Sequence, residues 1–179
     1  DTSAIITGQD NQMTLAKMYG VPFDDTETWD KLLNQLTTEE MTRIVTGSAL
    51  STIPSIAYPA MFMKDGPQGN QLRTYVEDGT SATGFCGEVL RACSFNRDLM
   101  DEVGTAMGED WYRTETVGAY TPAVNIHRTP YAGRNFEYYS EDGFLSGELA
   151  TQEVEGLQNH GVICYIKHFA LNDQETNRQ

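Results

Sequence analysis

The chain has 179 residues, with 12 basic and 26 acidic side chains and a formal charge of −14. Such a surface repels phosphate backbones and anionic membranes, which disfavours nucleic acid and acidic lipid as partners and leaves neutral ligands open. The length suffices for one domain with a real core, but not for the roughly 200–250 residues of a complete (β/α)8 barrel.

No apolar run approaches the roughly 18 residues of a membrane span, and no basic-then-apolar leader opens the chain. The first residue is Asp1, so an upstream segment is expected. Cys86, Cys93 and Cys164 are odd in number and lack paired Cys/His spacing, so they read as packing residues, not as disulfides or zinc ligands. With no N-terminal signal to read, localisation stays open.

Asp1 to Gly20 is polar and weakly patterned, as expected of a linker or a clasp. From Thr28, the spacing of Trp29, Leu32, Leu33 and Leu36 predicts one apolar helix face. Thr37 with Glu40 three residues on predicts a capping box, followed by Met41, Ile44 and Val45 until Gly47 stops the helix. Ala60 to Lys64 reads as a short strand running into Asp65-Gly66-Pro67-Gln68-Gly69. Asn96 is placed to cap a helix with Leu99, Val103, Met107 and Trp111 along its apolar side.

Ala119 to Ile126 reads as the next strand, with Pro122 at a bulge or where its missing donor is not needed. Phe144, Leu145, Leu149, Val154 and Leu157 predict a further helix, ended by Gly161. Val162 to Phe169 is the clearest strand in the sequence. The alternation of strand and helix predicts an α/β fold with parallel strands and right-handed crossovers.

Polar clusters fall at or just past three strand ends, at Asp65, at Arg134 and at the adjacent Lys167 and His168. A carboxylate acceptor, a planar fork of donors, an ammonium and an imidazole together suit a polyhydroxylated ligand, whose vicinal hydroxyls both donate and accept. Local readings compete with this one. Asp65 also suits an Asx turn before Pro67, and Arg134 suits a loop-ordering salt bridge to Glu137 or Asp142. Glu137 and Glu175 read as loop-ordering residues. Tyr138, Tyr139 and Phe136 suit either stacking on a sugar face or plain packing. No P-loop, no HExxH and no GxSxG elbow occurs, and no cofactor or metal is expected.

These residues carry a resemblance. Leu32 to Met41, Asp65 to Gly69, Phe85 to Asn96, Asn125 to Asp142 and Val162 to Arg178 together resemble the barrel domain of family 3 glycoside hydrolases. Lys-His-Phe followed by Ala-Leu-Asn-Asp-Gln-Glu is similar to the β-glucosidase and β-xylosidase branch. The N-acetylglucosaminidase branch has a Pro-Gly-His continuation that is absent here. Cys86 stands where the family has Pro and Phe95 where it has Trp, and the segment after Gly69 departs from the family's Arg-containing continuation.

The resemblance implies a partial TIM-type (β/α)8 barrel over residues 21–179, roughly the first four β/α units, preceded by short helices. It also implies that Asp65, Arg134, Lys167 and His168 bind the sugar in subsite −1 of a retaining β-glycosidase. A retaining enzyme needs two carboxyl groups about 5–5.5 Å apart. The family nucleophile, an Asp in a Ser-Asp-Trp-like motif, is absent from the sequence, as is the sandwich domain that supplies the acid/base. Both catalytic groups are therefore expected outside this chain, on the remaining barrel and sandwich domain or on a complementing chain. The partner expected is a β-glucoside or oligosaccharide, with glucose and xylose both open. A non-catalytic carbohydrate-binding fragment is the alternative.

Overall fold

The computed structural model describes residues 5–46, 52–71 and 81–177. Two compact units result, Asp1–Met61 and Phe62–Gln179.

In the first unit, α1 (Thr26–Leu33) begins two residues before the predicted Thr28, because Asp25 caps it by accepting from the Thr28 N–H at 3.2 Å. Leu32 is buried but Leu33 is half exposed, so the apolar face is narrower than the spacing suggested, and Leu36 is buried from beyond the helix end. The predicted capping box opens α2 (Thr38–Val45), with Thr37 and Glu40 bonded reciprocally. Its predicted stop, Gly47, lies outside the described residues. Met18, Leu32, Leu36, Ile53 and Ile56 form the core, with Met13 and Leu15 packed against it. The buried Gln35 amide accepts from Met13 N–H at 2.6 Å and donates to the Met13 carbonyl at 2.9 Å, fixing the N-terminal segment in place.

The second unit runs β1 (Met63–Asp65), α3 (Glu88–Ala92), α4 (Arg97–Arg113), β2 (Gly118–Tyr120), α5 (Gly143–Gln158) and β3 (Ile163–Cys164). The strands form a parallel sheet in the order β1-β2-β3, with Met63 opposite Gly118 and Gly118 opposite Ile163. This is the α/β alternation the sequence predicts, with helices crossing between neighbouring parallel strands.

The strands are shorter than predicted. β2 stops at Tyr120 because Pro122 has no N–H to give a ladder, and β3 covers only the first part of Val162 to Phe169. The extended path nevertheless continues past both ends, since Tyr165 N–H reaches the Ala119 carbonyl at 2.8 Å and Lys167 N–H reaches Pro122 at 3.1 Å. That continuation carries Lys167 alongside Ala123.

Asn96 caps α4 as predicted, accepting from Leu99 N–H at 3.1 Å. The buried line on α4 is Met100, Gly104, Met107, Gly108 and Trp111, while Leu99 turns partly outward. The Trp111 indole N–H donates to the Gly118 carbonyl at 3.1 Å and ties α4 to β2. On α5, Leu149 and Leu157 face inward, whereas Phe144, expected on that face, is exposed. The helices α4 and α5 cross closely at glycines. A Cβ on Gly104 would stand 2.4 Å from the Glu153 carbonyl oxygen, and one on Gly156 would stand 2.5 Å from Thr105 N. Cys164 borders the core as expected, but Cys86 and Cys93 are exposed, so they are not packing residues. Among the described residues no helix is long and apolar enough to cross a membrane.

Candidate functional site

Asp65 is the last residue of β1, and its chain turns at once, Gly69 N–H closing on the Gly66 carbonyl at 3.1 Å. The Asp65 carboxylate accepts from its neighbour Gly66 N–H at 3.1 Å, one residue short of an Asx turn, because Pro67 has no N–H to donate. The same oxygen also takes the Lys167 ammonium at 2.7 Å. Lys167 Nζ lies 3.1 Å from Glu137 Oε2 as well. The other Glu137 oxygen binds Arg134 Nε, so one carboxylate joins the two cations. Arg134 then reaches His168 Nε2 at 3.0 Å, and Glu175 Oε1 at 3.8 Å. His168 Nδ1 meets the Tyr138 hydroxyl at 2.8 Å, and the Asn172 amide donates to that hydroxyl at 2.6 Å. Buried Asn125 fixes the last loop by accepting from Asn172 N–H at 2.8 Å and donating to Asp173 at 3.1 Å.

All four residues expected at the site are thus joined in one chain of hydrogen bonds and ion pairs. Lys167 and His168, adjacent in sequence, both join it because β3 has already ended and the alternation of a regular strand no longer applies. The peptide bond between them is cis.

The partners fix the tautomer of His168. A guanidinium has no lone pair, so Nε2 accepts from Arg134 and the proton of the neutral ring sits on Nδ1, donating to Tyr138. Arg134 keeps its charge firmly: burial works against it, but the hydrogen bond and charge of Glu137 outweigh burial and raise its pKa. Burial pushes the Tyr138 phenol up. Lys167 and Glu137 are largely buried, whereas the Asp65 side chain is 37% exposed and forms the open edge of the cluster.

Glu137 orders the loop by pairing with Arg134, as read from the sequence, and its second pairing, with Lys167, is what that reading did not contain. Tyr138, weighed only for stacking or packing, and Asn172, not singled out in the sequence, both support His168. Their signal was present in the amide- and carboxylate-rich stretches following each apolar run. Asp142, weighed as a partner of Arg134, instead caps α5 through Phe144 and Leu145. Of the three aromatics considered for stacking, Tyr138 and Tyr139 are buried and only Phe136 is exposed. The segment 72–80, where the sequence departs from the family pattern, lies outside the described residues. Among the described residues no cluster of His, Cys, Asp or Glu is placed to hold a metal.

Chemically, a half-exposed carboxylate beside an ammonium, a guanidinium and a neutral imidazole offers acceptors and donors side by side. That combination has the donors and acceptors that vicinal hydroxyls need, without requiring charge on the ligand.

Comparison with known proteins places the chain in a family. Residues 26–177 match the model of the glycosyl hydrolase family 3 N terminal domain. The chain belongs to that family. It is 39% identical over 161 residues to beta-glucosidase A of Butyrivibrio fibrisolvens, an alignment covering 85% of this chain and 19% of that protein. Beta-glucosidase 3B of Thermotoga neapolitana, solved in complex with alpha-D-glucose, superposes with a TM-score of 0.66 and 46% identity over 71% of this chain and 18% of its own. A beta-glucosidase of Paenibacillus barengoltzii gives a TM-score of 0.77 at 28% identity, over 95% of this chain and 19% of its own. The chain therefore spans about a fifth of the length of these relatives.

Proposed function

We propose that this chain supplies the sugar-binding half of the active site of a retaining β-glycosidase that removes terminal β-D-glucosyl or xylosyl residues. The observation that carries the proposal is the single bonded chain Asp65–Lys167–Glu137–Arg134–His168, in a domain of this family. In this reading Asp65, Arg134, Lys167 and His168 hold the hydroxyls of the sugar in subsite −1. Bonds of this kind accelerate the reaction to the extent that they tighten in the oxocarbenium-like transition state.

Residues 21–179 form part of a (β/α)8 barrel, roughly its first four β/α units, and residues 1–20 act as a clasp. The parallel order of the three strands supports the barrel arc, and buried Met18 supports a clasp over a free linker. The nucleophile and the acid/base come from outside this chain, on the remaining barrel and sandwich domain of the same enzyme or on a complementing chain. An apolar groove along α5, lined by Val124, Ile126, Ala150, Val154, Ile166 and Phe169, is the surface that further β/α units would cover. A carbohydrate-binding fragment without catalysis is the second reading, favoured by the fact that each site carboxylate is paired with a cation.

The test is hydrolysis of an aryl β-glucoside by the intact protein. Wild type is expected to turn over, and Asp65→Ala is expected to lose roughly 100-fold or more, as when a transition-state hydrogen bond is removed. Full activity in Asp65→Ala contradicts the assignment. Sugar binding without turnover favours the second reading.

A further inference from the structure

Beneath the site lies a second charged cluster that the proposed chemistry does not use. Arg91, on α3, is 3% exposed, and Glu88 and Glu153 are fully buried. The Arg91 guanidinium pairs with Glu153 at 2.7 Å and lies 3.4 Å from Glu88. It also donates to the Pro67 carbonyl. Each carboxylate in turn grips backbone or side chains from other loops. Glu88 accepts from Ala123 N–H through both oxygens at 3.1 Å. Glu153 accepts from the Thr121 hydroxyl at 3.0 Å and from the Tyr139 hydroxyl.

Those contacts land on two of the loops that build the site, the turn after β1 and the connection from β2 to α5. Pro67 is two residues past Asp65, in the turn that also packs Gly66 against Trp111, where a Cβ would stand 2.3 Å from the indole. Thr121 and Ala123 precede Asn125, which anchors the loop of Asn172. Tyr139 follows Tyr138, the partner of His168.

Arg91 keeps its charge: burial works against it, but Glu153, Tyr139 and Glu88 outweigh burial. Burial and the nearby Glu153 push the Glu88 carboxyl well up, so Glu153 is the main counter-ion. Replacing a whole buried ion cluster by apolar residues of similar size is often neutral for stability, whereas removing one partner alone strands a buried charge. The Arg91 guanidinium thus ties α3 and α5 to the turn that follows Asp65.

We propose that Arg91 is a positioning residue for the sugar-binding site: by holding the Pro67 carbonyl against Glu153 and Glu88, it sets the Asp65 carboxylate opposite Lys167. The proposal rests on the reading of Asp65 and Lys167 as sugar ligands. Its geometric half, the register of Asp65 with Lys167, stands apart from any ligand. Lys at position 91 keeps the charge but has no planar fork with which to reach Glu153 and Pro67 together.

The experiment is a double-mutant cycle of Asp65→Asn and Lys167→Met on the unfolding of the intact protein, run in the wild-type background and in Arg91→Lys. Glucose titration of wild type and Arg91→Lys by calorimetry accompanies it. The expected result is a measurable Asp65–Lys167 coupling in wild type that vanishes in Arg91→Lys. Glucose affinity falls about tenfold, the size of one lost or misplaced hydrogen bond to a charged group. A coupling that survives intact in Arg91→Lys overturns the proposal, whatever the change in overall stability. If Arg91→Lys gives no cooperative transition, Glu153→Gln is used in its place. It keeps the partner's shape and weakens the same clamp, and retained coupling there overturns the proposal equally. Absence of glucose binding in wild type with a coupling that still depends on Arg91 would sink the sugar reading and leave the positioning intact.

Discussion

Glu137 shows how much one buried carboxylate can organise. Its two oxygens are divided between Arg134 and Lys167, so removing its charge leaves two largely buried cations facing each other across an amide. Glu137→Gln is expected to lower stability by about 1–3 kcal/mol in denaturant titrations. It should also weaken sugar binding by about tenfold, one charged hydrogen bond's worth. Phe136→Ala, one residue away but half exposed, should change stability by less than about 0.5 kcal/mol. Equal effects of the two substitutions would contradict the assignment of Glu137 as the hub.

Glu40 makes a pH prediction of its own. Burial alone would push its carboxyl up, but the backbone N–H groups of Thr37 and Ser55 outweigh burial and hold it below its ordinary 4.5. A depressed carboxyl contributes stability that is fully present above the unfolded value and is lost as pH falls through the folded one. The melting-temperature gap between wild type and Glu40→Gln should therefore be widest above about pH 4.5 and close on acidification. A gap that widens with acid would contradict it.

At the scale of elements, the decisive contact is the crossing of α4 and α5. Each helix lays a glycine against the other's backbone, at Gly104 and Gly156. Backbone cannot swing aside as a side chain can. Gly156→Ala, which would raise helix propensity in isolation, is expected instead to cost about 1–3 kcal/mol through overpacking. Thermal unfolding checks the sign, and a stabilised Gly156→Ala would show that the helices do not approach so closely.

Legibility in the sequence followed the same division. Periodic helices with caps could be read directly, since Asn96 and the Thr37–Glu40 box are local chemistry. The α/β alternation was equally plain. Strand lengths were not, because what ends β2 is the missing donor of Pro122, and what ends β3 is the register of its neighbour. The five-residue α3 is too short to show a period, so no local pattern marks the burial of Arg91. Of the site, Asp65, Arg134, Lys167 and His168 could be read because charged residues following apolar runs stand out. The bond from Glu137 to Arg134 is local and could be read, whereas its pairing with Lys167 and the contacts of Tyr138 with His168 and Asn172 span 30 or more residues.

For the molecule as a whole, the central claim is that four residues carried by separate loops form one sugar-binding cluster, within a chain that spans about a fifth of its relatives. The claim concerns the ligand more than the turnover, and binding tests it without the rest of the catalytic machinery. The most direct measurement is calorimetric titration of the protein with glucose, for wild type, Asp65→Ala and Lys167→Met. The account predicts heat of binding in wild type and its loss in both variants, with cooperative unfolding retained. Binding of equal strength in all three would place the sugar elsewhere and contradict it.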